Sequence, residues 1–230
     1  MLNEQGFILE SLYRDNIRVF DAVNFLRRFD DGLRGADLCI DGYPRSANSY
    51  AVNLAGNFNP SLRIVHHIHS QVIIRKAVKH GIPTIVLIRN PRDAIVSEYI
   101  RMKYSTNKEP SIDYLIQKYI DYYNTVSDVL SSVSLVPFSE ITNNPVSFIE
   151  LVSRLTDTVT KRNYKELVAE IMSQSKAKVT KEIIYTTSVP TKERTLYKKE
   201  VSEELTDLYD FSDAEKLYHM VLNRTNNTEP

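Results

Sequence analysis

Residues 84–97 read TIVLIRNPRDAIVS. Thr84 to Ile88 form a near-continuous β-branched and apolar run without alternation, the pattern of a strand covered on both faces. Asn90 and Pro91 interrupt it, and a proline in a first helical turn starts a helix that carries Asp93 to about Lys103. Arg89 therefore stands at the C-terminal end of a buried strand, the edge at which open α/β sheets bind ligands.

Working outward, Leu38–Tyr43 (LCIDGY) reads as a first strand, followed by a helix over about 46–58. Arg63–His69 (RIVHHIH) reads as a second strand, Gln71–Lys79 as a helix, Ser111–Leu130 as a long amphipathic helix and Ser134–Phe138 as a fourth strand. Strands alternating with helices predict an α/β fold: three layers, with a mostly parallel central sheet flanked by helices. From about Thr156 the chain turns helical and charged, giving a helical C-terminal third. Its last helix places Ala214, Leu217, Tyr218, Val221 and Leu222 on one stripe. Residues 1–30 also read as helical, with Val19, Phe20, Val23, Phe25 and Leu26 as core candidates. The 230 residues are expected to form one domain.

Twenty-nine basic residues balance 29 acidic ones. No global field then draws the chain to nucleic acid or a membrane surface, so any bound anion needs a local cluster. Cys39 is the single cysteine, so no internal disulfide can form, which suits a reducing compartment. Met1 to Glu10 lacks a basic segment leading into an apolar run, and no stretch approaches the roughly 18 apolar residues of a membrane span. A cytoplasmic protein with no membrane association is expected.

The loop after the first strand, residues 41–50, reads DGYPRSANSY. Against the phosphate loop G-x-x-x-x-G-K-[ST] the spacing holds from Gly42, but Ala47 and Asn48 stand where glycine and lysine would. That lysine neutralises the terminal phosphates of a nucleoside triphosphate, so its absence argues against ATP or GTP hydrolysis. Arg45 keeps a positive charge in the loop. Backbone N–H groups from Ala47 through Tyr50 and the hydroxyls of Ser46 and Ser49 remain as anion donors. A proline turn capped by Ser46 explains the same residues, as surface ion pairs with Asp93 or Glu98 would explain Arg89 and Arg92.

Taken together, the two stretches resemble sulfotransferases that use 3′-phosphoadenosine 5′-phosphosulfate (PAPS). Residues 42–50 are similar to that family's 5′-phosphosulfate loop, Y-P-[KR]-S-G-[TN]-T-W. Residues 89–97 are similar to its 3′-phosphate motif, R-N-P-x-D-x-x-V-S, and that match is nearly complete. The resemblance covers about residues 38–145 and implies a P-loop-NTPase-like sulfotransferase fold. It implies Arg45 beside the bridging oxygen, Ser46, Ala47, Asn48 and Ser49 along the 5′-phosphate, and Tyr50 in place of the tryptophan that stacks on adenine. It also implies Arg89 and Ser97 on the 3′-phosphate. Ala47 departs from the family's glycine and is expected to narrow the backbone approach.

His66-His67-Ile68-His69 closes the second strand, and alternation puts His67 and His69 on one face. The pair is open to three readings: metal ligands lacking a third partner, a structural pair, or catalysis. By resemblance to the family's K-T-H, His67 takes the lysine position and His69 that of the histidine. Sulfuryl transfer to a hydroxyl needs a base, and the ordinary histidine pKa near 6.5 suits it, so His69 is assigned that role. Phe138, in a segment resembling the family's Y-E-x-L…N-P, is expected to flank adenine or to pack in the core. The family's basic R-K-G triplet is absent. Arg194, within residues 190–199, is its expected substitute, unless that segment is a solvated helix face.

The expectation is a PAPS-dependent transferase that needs no metal and sulfates a small-molecule or glycan hydroxyl. The alternatives are an ATP-dependent small-molecule kinase of related fold and a non-catalytic nucleotide-binding protein.

Overall fold

A computed structural model describes residues 32–107, 109–160, 162–177 and 191–226. The helical reading of residues 1–30 lies outside them. Strands β1 (Leu38–Gly42), β2 (Ile64–His66), β3 (Thr84–Ile88) and β4 (Ser134–Pro137) form one sheet in the order β2-β1-β3-β4, with every pairing parallel. Helices α1 (Asn48–Phe58), α2 (Gln71–Lys79), α3 (Pro91–Thr106), α4 (Ile112–Asp128), α5 (Phe138–Asn143) and α6 (Pro145–Leu155) connect and follow the strands. Helices α7 (Tyr164–Ala177), α8 (Lys192–Leu208) and α9 (Ser212–Asn226) complete the C-terminal third.

The period of two along a strand divides the core between the two faces of the sheet. Cys39, Val86 and Ile88 pack with Ile73 and Ile74 of α2, Ala94, Ile95 and Val96 of α3 and Leu115 of α4. Leu38, Ile40, Ile85 and Leu87 point the other way, into Ala51 and Leu54 of α1, Ile149 of α6 and Leu167 of α7. Both faces are covered, so the layers run helix, sheet, helix. Ala214, Leu217 and Val221 of α9 are buried in the first core, with Tyr218 and Leu222 against it, as their spacing predicts.

The chain leaves β1 for β2 on one side and β3 lies on the other, which makes the gap beyond β1 and β3 a switch point where ligands bind. Gly42 lets the strands close tightly there: a Cβ on it would stand 2.5 Å from the Leu87 carbonyl oxygen. No helix among the described residues is long and apolar enough to cross a membrane.

Several boundaries differ from the sequence reading: the first strand ends at Gly42, the long helix spans Ile112–Asp128, and the fourth strand ends at Pro137, so that Phe138 opens α5. The second strand spans Ile64–His66 rather than Arg63–His69, because His67 and His69 take left-handed backbone angles (φ 59° and 50°) that end the strand. The alternation expected to align those histidines therefore does not apply, although their rings still stand edge to face at 5.7 Å. The first helix begins at Asn48, not Ser46, with left-handed Ala47 as its N-cap.

Candidate active site

The β1–α1 loop is held by its own backbone and by Asn48. Ser46 N–H donates to the Tyr43 carbonyl at 3.2 Å, and the Asn48 amide donates to the same oxygen at 3.1 Å. The Asn48 side chain thus braces the loop from inside. Arg45 and Ala47 both have left-handed angles, φ 70° and 73°. At Ala47 this costs roughly 1–2 kcal/mol, the physical reason a glycine belongs there. Ala47 also packs against the core beneath α1, as does the half-buried Tyr50. No side chain caps the helix, so Ser46, fully buried, is not the cap that a simple proline turn would need. The first-turn N–H groups of α1 lack intrahelical partners, as at any helix start, and suit an anion.

Across the gap, Arg89 follows β3. The hydroxyls of Tyr119 and Tyr123, on α4, donate at 2.7 Å to the carbonyls of Arg89 and Leu87. Tyr43 of the loop packs edge-on against Tyr119 at 5.1 Å and donates to the Leu115 carbonyl. The tyrosines of residues 114–123 therefore include a buried brace that joins the two strand ends to α4. The Arg89 guanidinium lies 3.9 Å from the centre of the Phe138 ring, donates to the Arg45 carbonyl at 2.9 Å and stands 3.9 Å from Asp93.

Ser97, 3% exposed, receives two of the basic residues. Its Oγ accepts from Arg45 Nε at 3.1 Å and from Arg194 at 3.0 Å. Arg194 arrives from the first turn of α8, whose N-cap Thr191 accepts the Arg194 N–H at 3.2 Å. One turn further along α8, Lys198 pairs with Asp93. Lys198 is missing from the sequence reading; its only signal there is its i, i+4 spacing from Arg194.

Four cations in one corner raise the free energy of each other's charge. Burial and Arg194 push Arg45 down to about 9. Burial, followed by repulsion from Arg89, also lowers Arg194 and Lys198, and burial lowers Arg89 against the pull of Asp93. The nearby Glu98 is committed to Arg101 through two hydrogen bonds of 2.7 and 2.6 Å. Arg89 Nε and Arg194 Nε are buried without a hydrogen-bond partner. Buried donors without acceptors, amid repelling positive charge, are what a multiply charged anion would satisfy.

The histidines lie on the other side of the loop. His69 Nδ1 is 2.9 Å from the Gly42 carbonyl and 3.2 Å from Asp41 Oδ1. Burial alone would lower the His69 pKa, but the Asp41 carboxylate and the Gly42 carbonyl raise it above the ordinary value. His67 Nε2 lies 2.9 Å from Ser49 Oγ, and its Nδ1 is 2.6 Å from His66 Nδ1. Burial and then His66 hold His67 below the ordinary histidine range. Among the described residues no group of three His, Cys, Asp or Glu side chains gathers to hold a metal.

The structure thus brings Arg45, Arg89, Ser97, Phe138 and Arg194 to one corner, with Ser49, His67 and His69 flanking the same loop. Asp41 and Lys198 join them, although neither belongs to the residues that the motifs single out.

The family model described as "Sulfotransferase domain" matches residues 14–220. Among solved structures, the crystal structure of mouse sulfotransferase SULT7A1 complexed with PAP superposes with a TM-score of 0.52 at 11% identity, covering 80% of this chain and 88% of that one. At that identity the likeness concerns the fold. No curated protein matches the chain.

Proposed function

The chain belongs to the sulfotransferase domain family, and from that premise we propose that it transfers a sulfuryl group from PAPS to an acceptor hydroxyl. The observation that carries this reading is the convergence of Arg45 and Arg194 on Ser97, with Arg89 stacked on Phe138, at the switch point of the sheet. Adenosine with two separate phosphate groups needs two cationic positions and an aromatic face, and these residues supply both. That the similar mouse enzyme is described with bound PAP supports the same donor.

Arg89, Ser97, Arg194 and Lys198 hold the 3′-phosphate. Arg45, the hydroxyls of Ser46 and Ser49, and the backbone N–H groups of Ala47, Asn48, Ser49 and Tyr50 hold the 5′-phosphosulfate, while Phe138 and Tyr50 flank the adenine. When bound, PAPS supplies the sulfuryl group and a phosphate leaving group. His69 accepts the proton of the attacking hydroxyl. His67, kept neutral near pH 7, positions Ser49 rather than supplying charge, so stabilisation of the leaving phosphate falls to Arg45. The chemistry parallels phosphoryl transfer but moves a group of lower charge, and the arginines carry the neutralisation without a metal. The acceptor is a small-molecule or glycan hydroxyl, and the single buried thiol of Cys39 fits action in the cytoplasm.

An assay of PAP release with a panel of phenols, alcohols and glycans tests the reading. Acceptor-dependent release from PAPS, with no phosphorylated product from ATP, is expected. Phosphoryl transfer from ATP would establish the kinase reading instead, and PAP binding without transfer to any acceptor would establish a non-catalytic binder.

A further inference from the structure

Asp41 is the acidic residue of β1, and the scheme above gives it no role. It is 1% exposed, on a strand buried along its whole length. Its Oδ1 accepts the Gly42 N–H at 2.9 Å and lies 3.2 Å from His69 Nδ1. Its Oδ2 accepts the His69 N–H at 2.9 Å. One carboxylate therefore grips both the backbone and the ring of the same histidine. A buried charge persists only where it is paired and hydrogen-bonded, and here most of its partners belong to His69.

On the reading that His69 is the base, we propose that Asp41 is its positioning residue, holding the proton on Nδ1 so that Nε2 is the nitrogen that accepts the hydroxyl proton.

Nδ1 faces two acceptors, the Asp41 carboxylate and the Gly42 carbonyl, so the proton of the neutral ring belongs there. The left-handed backbone of His69 (φ 50°) is strained for a residue with a side chain and persists where its surroundings over-determine it. The Asp41 bond to its N–H supplies one restraint. The other is the start of α2, where Ser70 accepts the Val72 N–H at 3.3 Å.

The titratable groups that face the pair are Cys39 of β1, Lys118 and the Tyr122 and Tyr123 phenols of α4, and His66 and His67 from the segment before His69. Burial and Lys118 disfavour the imidazolium, while Asp41 favours it. As the acceptor oxygen bonds to sulfur, its proton passes to Nε2. The sulfur–oxygen bond to the phosphate breaks, and its electron pair leaves with the phosphate. The Asp41 carboxylate pairs the imidazolium so formed.

Nitrogen NMR of the histidine rings, joined to pH–rate profiles of the Asp41→Asn and His69→Ala variants, tests the proposal. The unmodified chain is expected to show His69 protonated at Nδ1, with a pKa above the ordinary value. Asp41→Asn is expected to mix the tautomers, lower that pKa and move the acid limb of kcat to lower pH. It should reduce kcat roughly 10²-fold, within the range a general base is worth, with PAP affinity unchanged. A His69 ring protonated at Nε2 in the unmodified chain overturns the proposal, even where the variant fails to fold. An unchanged acid limb and kcat in Asp41→Asn overturn it while leaving His69 as base. Full turnover in His69→Ala overturns the base assignment, and this proposal with it.

Discussion

Replacing His69 with alanine is expected to lower turnover by roughly 10²–10⁴-fold, the usual worth of a general base, and to leave PAP affinity nearly unchanged. The separation follows from the layout of the site. His69 bonds to Asp41 and Gly42 at the end of β1, whereas the cations assigned to the nucleotide gather on Ser97 and Phe138. Removing the ring deprives Asp41 of one partner, a cost of about 1–3 kcal/mol in stability, but leaves it the N–H groups of Gly42 and residue 69. The chain should therefore stay folded. The pH profile gives a second reading of the same residue. With His69 as base, the parent rate should fall as pH drops through a pKa held above the ordinary histidine value, because the protonated ring cannot accept the hydroxyl proton. His69→Ala should lose that limb. Steady-state kinetics with PAPS across pH checks both, and turnover close to the parent's would remove His69 from the mechanism.

Arg89→Ala is expected to weaken PAP by roughly 10- to 150-fold, the range of one to two hydrogen bonds to a charged group, and to weaken AMP far less. Arg89 has two duties in this structure. It donates to the Arg45 carbonyl and so supports the loop, and it leaves a buried Nε without a partner beside Phe138. The first duty affects every nucleotide alike. The second, on the proposed assignment, concerns the 3′-phosphate, which AMP does not carry. The ratio of the two losses therefore isolates the 3′-phosphate contact from loosening of the loop, and equal losses for PAP and AMP would sink the assignment.

Much of this architecture is legible in the sequence because it rests on local patterns. Thr84–Ile88 is wholly apolar apart from its first residue, and the strand found there has those bounds. Pro91 lies in the first turn of the following helix, as its sequence predicts, and Asn90 caps that helix by accepting the Asp93 N–H. Arg194 stands out in the sequence by charge alone, and the fold brings it to Ser97 across 97 positions of chain.

What the sequence hides has physical causes as well. The early end of β2 comes from left-handed angles at His67 and His69, which no apolar periodicity records. Nothing in the sequence singles out Asp41, since a strand buried on both faces shows no alternation to reveal an inward-facing charge. Lys198 matters only because α8 lies beside α3, a tertiary relation that spacing along α8 does not contain. Ala47 reads as an obstacle to phosphate approach. The structure locates its cost in its left-handed backbone, with the residue packed against the core.

On the proposed reading, the Arg45, Arg89, Arg194 and Lys198 corner is built for a nucleotide bearing phosphate at both the 3′ and 5′ positions. Calorimetric titration of the unmodified chain with PAP, AMP and ATP tests it most directly. PAP should bind at least about tenfold more tightly than AMP, the worth of one charge-assisted hydrogen bond, and ATP should not displace it at equal concentration. AMP or ATP binding as tightly as PAP would show that the corner does not select a 3′-phosphate.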